Sequence, residues 1–264
     1  MARSAAAHAD AVLVSYLSTI LADNPEHYWE LGPYGAQLFQ DLGSAPAPLV
    51  QQRVANGGYG GVWDGGLATG FSGSSQLVTD ANIAEGAPIT IEAWIWIYSF
   101  SGAVSGILLW DGATVSQVYL IVDATRHVAG QAGGVNIADP AQVSVHTWHH
   151  TALVFTGAVV TLWVDGINVA TVPGLLAPGA ARTWNVGAVT GGSAFWNGLI
   201  ASPAVYRAAL SGAQLAAHIA AADNKTVFPT FQANVAAVVG GGFSGSAGTA
   251  MSDIRRAVYR TFTD

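Results

Sequence analysis

The 264-residue sequence has no cysteine, a single lysine at position 225 and few charged residues, which make up 9% of the chain. A soluble domain typically carries roughly 25% charged residues, so glycine, hydroxyl and amide groups must form much of this surface. The absence of cysteine excludes a disulfide scaffold, a thiolate metal site and a cysteine nucleophile. With 9 basic and 16 acidic residues the formal net charge is −7. A nucleic-acid partner is not expected, because it requires clustered lysine and arginine.

Long apolar runs are also missing. Mean hydropathy is high at +0.39, but alanine and 32 glycines raise it, and no stretch reaches the roughly 18 apolar residues that span a bilayer. We therefore expect no membrane span. The apolar content of 51% is enough to form a core, so the chain is expected to fold.

The amino-terminal segment, residues 4–22, has the spacing of an amphipathic helix. One face carries Leu13, Tyr16, Leu17, Ile20 and Leu21. The helix should end at Asp23-Asn24-Pro25, because proline disfavours helical geometry in the residue before it. A cleaved signal peptide is the alternative, since Arg3 precedes an apolar stretch. We favour a helix that packs on the protein or contacts a partner.

The middle of the chain, residues 28–206, has the pattern of an all-β protein. Short β-branched and aromatic runs alternate with glycine, aspartate, asparagine and proline at intervals of about 8–12 residues. The clearest predicted strands are 89–98, 106–110, 116–122, 148–155, 159–164, 182–186 and 199–206. In the first of these both alternating faces are largely apolar, as in a strand inside a two-sheet sandwich.

Two turns predict a meander of antiparallel strands. Thr156-Gly157 separates two predicted strands, and Asp165-Gly166 has the composition of a type I′ turn. A meander needs a second sheet to bury its faces. After it, residues 211–219 predict a short helix capped by Ser211.

Several segments resemble, in order, a laminin G-like module of the concanavalin A-like lectin and glucanase class. They are Tyr28-Trp29-Glu30-Leu31-Gly32, Asp41-Leu42-Gly43, Phe71-Ser72-Gly73, the strand around Glu92-Ala93-Trp94, Trp148-His149-His150 followed by Asp165-Gly166, and Phe195-Trp196-Asn197-Gly198 with Tyr206 and Leu210-Ser211. The resemblance covers about residues 28–222. It implies an all-β fold, a two-sheet antiparallel β-sandwich (concanavalin A-like jelly roll) with helical extensions at both ends.

The segment from Tyr16 to Gly32 also resembles the lead-in to such modules in bacteriophage tail and other virion proteins. The alanine, glycine and valine content and the single lysine suit a GC-rich host. This resemblance implies a virion location on the phage tail or particle surface, with an extracellular location as the alternative.

The carboxyl-terminal tail differs from the middle of the chain. Residues 240–248 are a glycine-rich linker, and 249–262 regain helical spacing with Met251, Ile254, Val258 and Phe262 on one stripe. Arg255, Arg256 and Arg260 form either a solvated face or an attachment arm for an acidic partner. The predicted divisions are thus a helix at 1–25, a sandwich at 26–223 and the tail at 224–264.

No catalytic motif is complete. A retaining glycosidase needs two carboxylates about 5–5.5 Å apart, but the four glutamates, Glu26, Glu30, Glu85 and Glu92, lack an acid two residues away. No nucleophile elbow is present, although counting serine, histidine and aspartate does not exclude a triad. His149 and His150 should point to opposite faces of a strand, and His150 is interpreted as a core or cross-strand residue. We assign no catalytic residue and expect no enzyme.

Sugar recognition would use aromatic faces with amide hydrogen bonds. The candidates for exposed ligand-binding residues are Tyr59, Trp63, Trp110, Trp196 and Asn197, with core packing as the alternative for each. Trp29, Trp94, Trp148 and Trp163 occupy motif positions that indicate the core.

Calcium is the one cofactor considered, because hard oxygen ligands suit it. Asp64, Asp80, Asp111 and Asp123 lie in or beside predicted loops. A structural or solubilising role is the alternative for each.

The leading hypothesis is a non-enzymatic virion protein. Its sandwich would contact host glycans, and its terminal helices would bind other virion proteins. Low charge and high hydropathy predict a homo-oligomer or a place in a larger assembly. The alternatives are a secreted actinobacterial carbohydrate-binding module and, last, a glycoside hydrolase.

Overall fold

The computed structural model describes residues 16–32, 37–53, 55–63, 66–83, 86–110, 117–174, 181–189 and 194–222. Two antiparallel sheets stack face to face, which confirms the predicted sandwich. The predicted tail at 224–264, including Arg255, Arg256 and Arg260, lies outside these residues. The same holds for residues 4–15 of the predicted first helix, whereas 16–22 are helical (α1).

The first sheet contains the meander. In chain order its strands are β1 (His27–Tyr28), β4 (Asn56–Gly60), β5 (Leu67–Ser72), β7 (Ile89–Ile97), β12 (Trp148–Phe155), β13 (Val159–Val164), β14 (Ile167–Pro173) and β16 (Asn197–Tyr206). Their spatial order is β14-β13-β12-β7-β16-β5-β4, and β1 pairs with β16.

The second sheet also has eight strands within the described ranges. They are β2 (Leu38–Phe39), β3 (Leu49–Arg53), β6 (Gln76–Thr79), β8 (Ser105–Trp110), β9 (Val118–Val122), β10 (His127–Ala132), β11 (Val135–Gln142) and β15 (Trp184–Val186). Their spatial order is β11-β10-β9-β8-β15-β6-β3-β2. Helix α2 (Gly212–Ala221) follows β16.

The Asp165-Gly166 turn and the start of α2 have the conformations that their residues predict. Asp165 and Gly166 both have positive φ, 50° and 80°, as a type I′ hairpin requires. The Ser211 side chain caps α2 by accepting from the Gln214 N–H, in a reciprocal capping box. Both predictions are confirmed.

Strand β7 has two buried faces for two different reasons. Ile91, Ile95 and their neighbours of the same parity lie between the sheets. Trp94 and Trp96, of the other parity, belong to a second apolar cluster with Tyr16 of α1 and Leu215 of α2. The described part of α1 therefore packs on the outer face of the first sheet, as the helix interpretation expected. Among the described residues no helix is long and apolar enough to cross a membrane.

Candidate functional site

The outer face of the first sheet is covered by the two helices and contains a buried polar group. We call it the carboxylate–histidine cluster: Glu92 on β7, His150 on β12, Tyr206 on β16, His218 on α2 and Asp23 after α1. Glu92 is 2% exposed. Its Oε1 accepts from the Tyr206 hydroxyl at 2.6 Å, and its Oε2 accepts from His150 Nε2 at 3.0 Å.

His218 bridges two carboxylates. Its Nδ1 lies 3.0 Å from Glu92 Oε1, and its Nε2 lies 2.9 Å from Asp23 Oδ2. An ionised carboxylate only accepts hydrogen bonds, so both ring nitrogens must donate and the imidazole must be charged. The two carboxylates outweigh the desolvation of His218 and raise its pKa. The pKa of Glu92 is held below its usual range by His218 and His150, although burial opposes this.

This cluster predicts a pH dependence of stability. Because the pKa of His218 is raised above 6.5 in the folded protein, its stabilisation is complete below 6.5 and is lost as pH rises through the folded value. His218→Gln should lower stability at pH ~6 and abolish the decline in stability above that pH. Urea unfolding at successive pH values measures this dependence of the free energy of unfolding on pH. Gln214→Ala removes the hydrogen bond to Asp23 Oδ1 and the side-chain acceptor of the Ser211 capping box, but no titratable group, so it should lower stability and keep the wild-type slope. Equal slopes in wild type and His218→Gln would contradict the assignment.

The outer face of the second sheet presents a row of side chains that crosses all eight strands. Direct cross-strand partners share a face, and the row runs through Asn136, Gln131, Tyr119, Leu109, Asn185, Val78, Val50 and Leu38. We call it the cross-sheet row. Its middle is buried, whereas Asn136, Val50 and Leu38 are exposed and Tyr119 is half-buried.

A groove lies at the polar end of the cross-sheet row. Its volume is about 290 Å³ and it is lined by Tyr119, Ala129, Gly130, Asn136, Ile137 and Ala138. Ala129 and Ala138 are direct partners on β10 and β11, and their small side chains leave space beside the taller Tyr119. The Tyr119 hydroxyl donates to Asn136 Oδ1 at 3.0 Å, so ring and amide hold each other in place.

The groove is electrically neutral. None of its lining residues carries a charge, and burial raises the pKa of Tyr119. The phenol therefore stays protonated as a donor. An aromatic ring, an amide and an alanine floor can contact a ligand that has both apolar and hydroxyl faces.

A family model described as "Concanavalin A-like lectin/glucanases superfamily", of laminin G type, matches residues 70–216. The chain belongs to this superfamily. A comparison with curated protein sequences found no match. The lectin/glucanase fold proposed from the sequence motifs is thereby confirmed.

Solved structures share the fold of this chain at low sequence identity. Domain 4 of AbnA, a GH43 extracellular arabinanase from Geobacillus stearothermophilus solved with arabinotriose, has a TM-score of 0.59 at 13% identity and covers 76% of this chain and 98% of that one. The receptor-binding domain of botulinum neurotoxin D has a TM-score of 0.57 at 12% identity, and the match covers 76% of this chain and 53% of that one. Trypanosoma rangeli sialidase has a TM-score of 0.55 at 14% identity, and the match covers 77% of this chain and 34% of the sialidase chain. The chain thus spans about a third of the sialidase.

Three of the candidate ligand-binding residues are not exposed, which corrects the expectation for them. Trp63, Trp110 and Trp196 are at most 1% exposed. Trp63 stacks on Tyr16 at 4.1 Å. Trp110 ends β8 with its side chain in the inter-sheet core, where Trp196 also lies. The neighbouring Asp-Gly and Gly-rich segments suggested exposed loops. The side chains of Trp110 and Trp196 instead point between the sheets, and α1 covers Trp63.

The other two candidates lie near one end of the first sheet. Asn197 Nδ2 donates to Ser99 Oγ at 2.7 Å, and Tyr98 N–H donates to Asn197 O. Tyr59 contacts Tyr98, whose pKa is raised by burial first and then by Tyr59. Tyr59 and Asn197 therefore both contact Tyr98, in a half-buried cluster whose members do not line the groove.

The calcium candidates do not converge in the part of the chain that is described. Asp64 and Asp111 lie outside it, and Asp80 is exposed. Asp123 Oδ1 accepts from the N–H groups of Thr125 and His127 and from the Thr125 hydroxyl. Those bonds hold the pKa of Asp123 below its usual range. Within the described ranges no group of three or more His, Asp or Glu side chains is arranged to hold a metal ion, and calcium stays a prediction.

The sequence interpretation missed the groove because it missed β10 and β11. A signal was present: Gly133 and Gly134 both have positive φ, 58° and 74°. Two consecutive glycines between apolar residues are a two-residue hairpin signal. His150, by contrast, is the buried cross-strand residue that was predicted.

Proposed function

We propose that this chain is a glycan-recognition protein that binds a neutral saccharide in the groove of Tyr119 and Asn136 without cleaving it. The observation that carries the proposal is the groove itself: a half-buried ring held by an exposed amide over an alanine floor. The superfamily membership adds a fold on which lectins are built.

The groove's chemistry selects the ligand class. A pyranose or furanose ring has an apolar face for aromatic contact and hydroxyls for amide hydrogen bonds. The absence of charge among the lining residues favours an uncharged sugar over an acidic one, because a buried anion needs a compensating cation. The volume of about 290 Å³ suits one or two sugar units.

Binding without glycoside cleavage is part of the proposal. Glu92, the only glutamate on a predicted central strand, is buried and engaged by His150, His218 and Tyr206. It lies on the first sheet under the helices, while the groove lies on the second sheet. We infer that it acts structurally and contacts no sugar.

Filling the groove tests the proposal. Ala138→Leu should weaken saccharide binding about 10-fold or more, equivalent to ~1.4 kcal/mol, because the leucine side chain occupies the space beside Tyr119. Tyr119→Ala should weaken binding by a similar factor, because it removes the aromatic contact. Calorimetry with a panel of neutral oligosaccharides that includes arabinotriose measures the affinity. Ala141→Leu is the matched control, since Ala141 is exposed on the same strand but outside the lining.

The result can also relocate the site. If Tyr59→Ala abolished binding and Ala138→Leu did not, the half-buried cluster around Tyr98 would be the sugar site and the groove proposal would be wrong. Absence of binding to every saccharide in the panel would contradict glycan recognition altogether.

We further propose a virion location, on the phage tail or particle surface. It is supported by the lead-in from Tyr16 to Gly32 and by the low charge of the chain. Mass spectrometry of purified particles should detect the chain. Its absence from particles, with efficient secretion by an actinobacterial cell, would favour the secreted carbohydrate-binding module instead.

A further inference from the structure

Three polar side chains form a hydrogen-bonded array at one end of strands β12 and β13. Ser144 lies in the loop before β12, His149 is the second residue of β12, and Asp165 lies in the turn after β13. Ser144 Oγ is 2.7 Å from His149 Nε2, and His149 Nδ1 is 2.7 Å from Asp165 Oδ2. Nothing in the glycan-binding proposal uses these residues.

The protonation states follow from the geometry. The Asp165 carboxylate can only accept, so His149 Nδ1 must carry a hydrogen. A neutral imidazole then has its lone pair on Nε2, and the Ser144 hydroxyl donates to it. This is the arrangement that activates a serine nucleophile, with the base held by a third group.

Asp165 is itself fixed in place. Its Oδ1 accepts from the His150 N–H at 2.8 Å, and its own N–H donates to His150 O at 2.9 Å. The aspartate is therefore anchored to the strand that carries His149. The side chain of His149 is 12% exposed and Ser144 is exposed, so a substrate can reach the nucleophile.

Donors for a developing oxyanion are also at hand. In the loop Val143 N–H donates to Arg126 O and His146 N–H donates to Ile97 O. Between them, the N–H groups of Ser144 and Val145 have no acceptor among the described residues. Two such groups next to a nucleophile can stabilise the negative oxygen of a tetrahedral intermediate.

We propose that Ser144, His149 and Asp165 form a catalytic triad that hydrolyses short-chain acyl esters. The groove described above is lined by other residues, and Ser144 lies exposed in a loop, a position that suits a short acyl group such as acetyl. This proposal departs from the expectation of a chain without enzymatic activity.

The reaction balances without any other reagent. Ser144 Oγ bonds to the ester carbonyl carbon while its proton moves to His149 Nε2. The carbon–oxygen bond to the alcohol breaks, and the alcohol leaves with that proton. Water then attacks the acyl-enzyme, passes a proton to Nε2 and releases the acid as Ser144 regains its hydrogen.

A fluorophosphonate probe and p-nitrophenyl acetate, applied to the full chain, test the proposal. The probe should label Ser144, as peptide mass spectrometry reports, and ester hydrolysis should fall to the uncatalysed rate in Ser144→Ala. His149→Gln should lower the hydrolysis rate about 100-fold or more. Ser101→Ala, at another exposed loop serine, should retain both labelling and activity.

Circular dichroism and thermal melting establish that each variant is folded, which surface substitution at Ser144 should permit. Absence of labelling in the folded wild-type chain would overturn the triad. So would equal hydrolysis by wild type and Ser144→Ala. Sugar binding is not needed for either assay, so failure of the glycan proposal leaves this test intact.

Discussion

Replacing Glu92 with glutamine is expected to lower the free energy of unfolding by about 3 kcal/mol near pH 6, because removing one partner of a buried ion pair leaves the other without compensation. Glutamine keeps the volume of the side chain but not its charge. The charged His218 would retain only Asp23, whose side chain is 21% exposed. The amide would also bring an N–H group towards donors on His150, His218 or Tyr206.

Urea denaturation of both proteins gives the difference directly. Glu30→Gln is the matched control. Burial raises the pKa of Glu30, so the folded state disfavours its ionised form, and neutralising it should leave stability unchanged or slightly higher. A loss at Glu92→Gln no larger than at Glu30→Gln would show that the carboxylate–histidine cluster does not tie the helices to the sheet.

Three of the predicted strands share a property that the missed strands β10 and β11 lack. β7, β12 and β13 are rich in β-branched and aromatic residues, and the turns at Thr156-Gly157 and Asp165-Gly166 delimit them. β10 contains alanine and glycine, and β11 contains Pro140. Such strands carry weak intrinsic preference, and neighbouring strands determine their conformation.

The candidate groove depends on register, which one sequence does not reveal. Tyr119, Gln131 and Asn136 are adjacent only because β9, β10 and β11 pair with a particular alignment. A slip of one residue would move each side chain to the other face. Tyr119 was therefore not among the predicted ligand-binding residues. Tryptophans near glycine were predicted to be exposed from their local sequence, but tertiary packing buries them.

The carboxylate–histidine cluster also depends on contacts that one sequence does not reveal, between residues far apart in the chain. The alternation of β12 placed His150 on a buried face, and that prediction is confirmed. Its partner Glu92 and the second histidine, His218, are separated by 126 positions along the chain. Only the packing of α2 on β7 brings them together.

Replacing Trp63 with alanine is the second substitution expected to lower the free energy of unfolding by a large amount. Trp63 is 1% exposed, and its ring stacks on Tyr16 of α1 at 4.1 Å with an interplanar angle of 11°. The ring also packs so closely on Gly66 that a Cβ there would overlap it. Truncation removes the stacking contact with α1 and leaves a cavity in the second apolar cluster. The expected loss is about 3–5 kcal/mol in the free energy of unfolding, the usual range for a buried tryptophan.

Trp63→Phe separates the aromatic contact from the cost of burying the indole N–H. The indole Nε1 of Trp63 is buried and has no partner among the described residues, so replacing it with phenylalanine removes an unsatisfied donor along with some volume. We expect phenylalanine to restore most of the stability lost in Trp63→Ala, because the ring contact with Tyr16 survives. Saccharide binding should be equal in all folded forms, since Trp63 lies on the first sheet's side of the molecule and the groove on the second. Loss of binding in a stable Trp63→Phe protein would return this tryptophan to the ligand-binding role that its sequence context suggested.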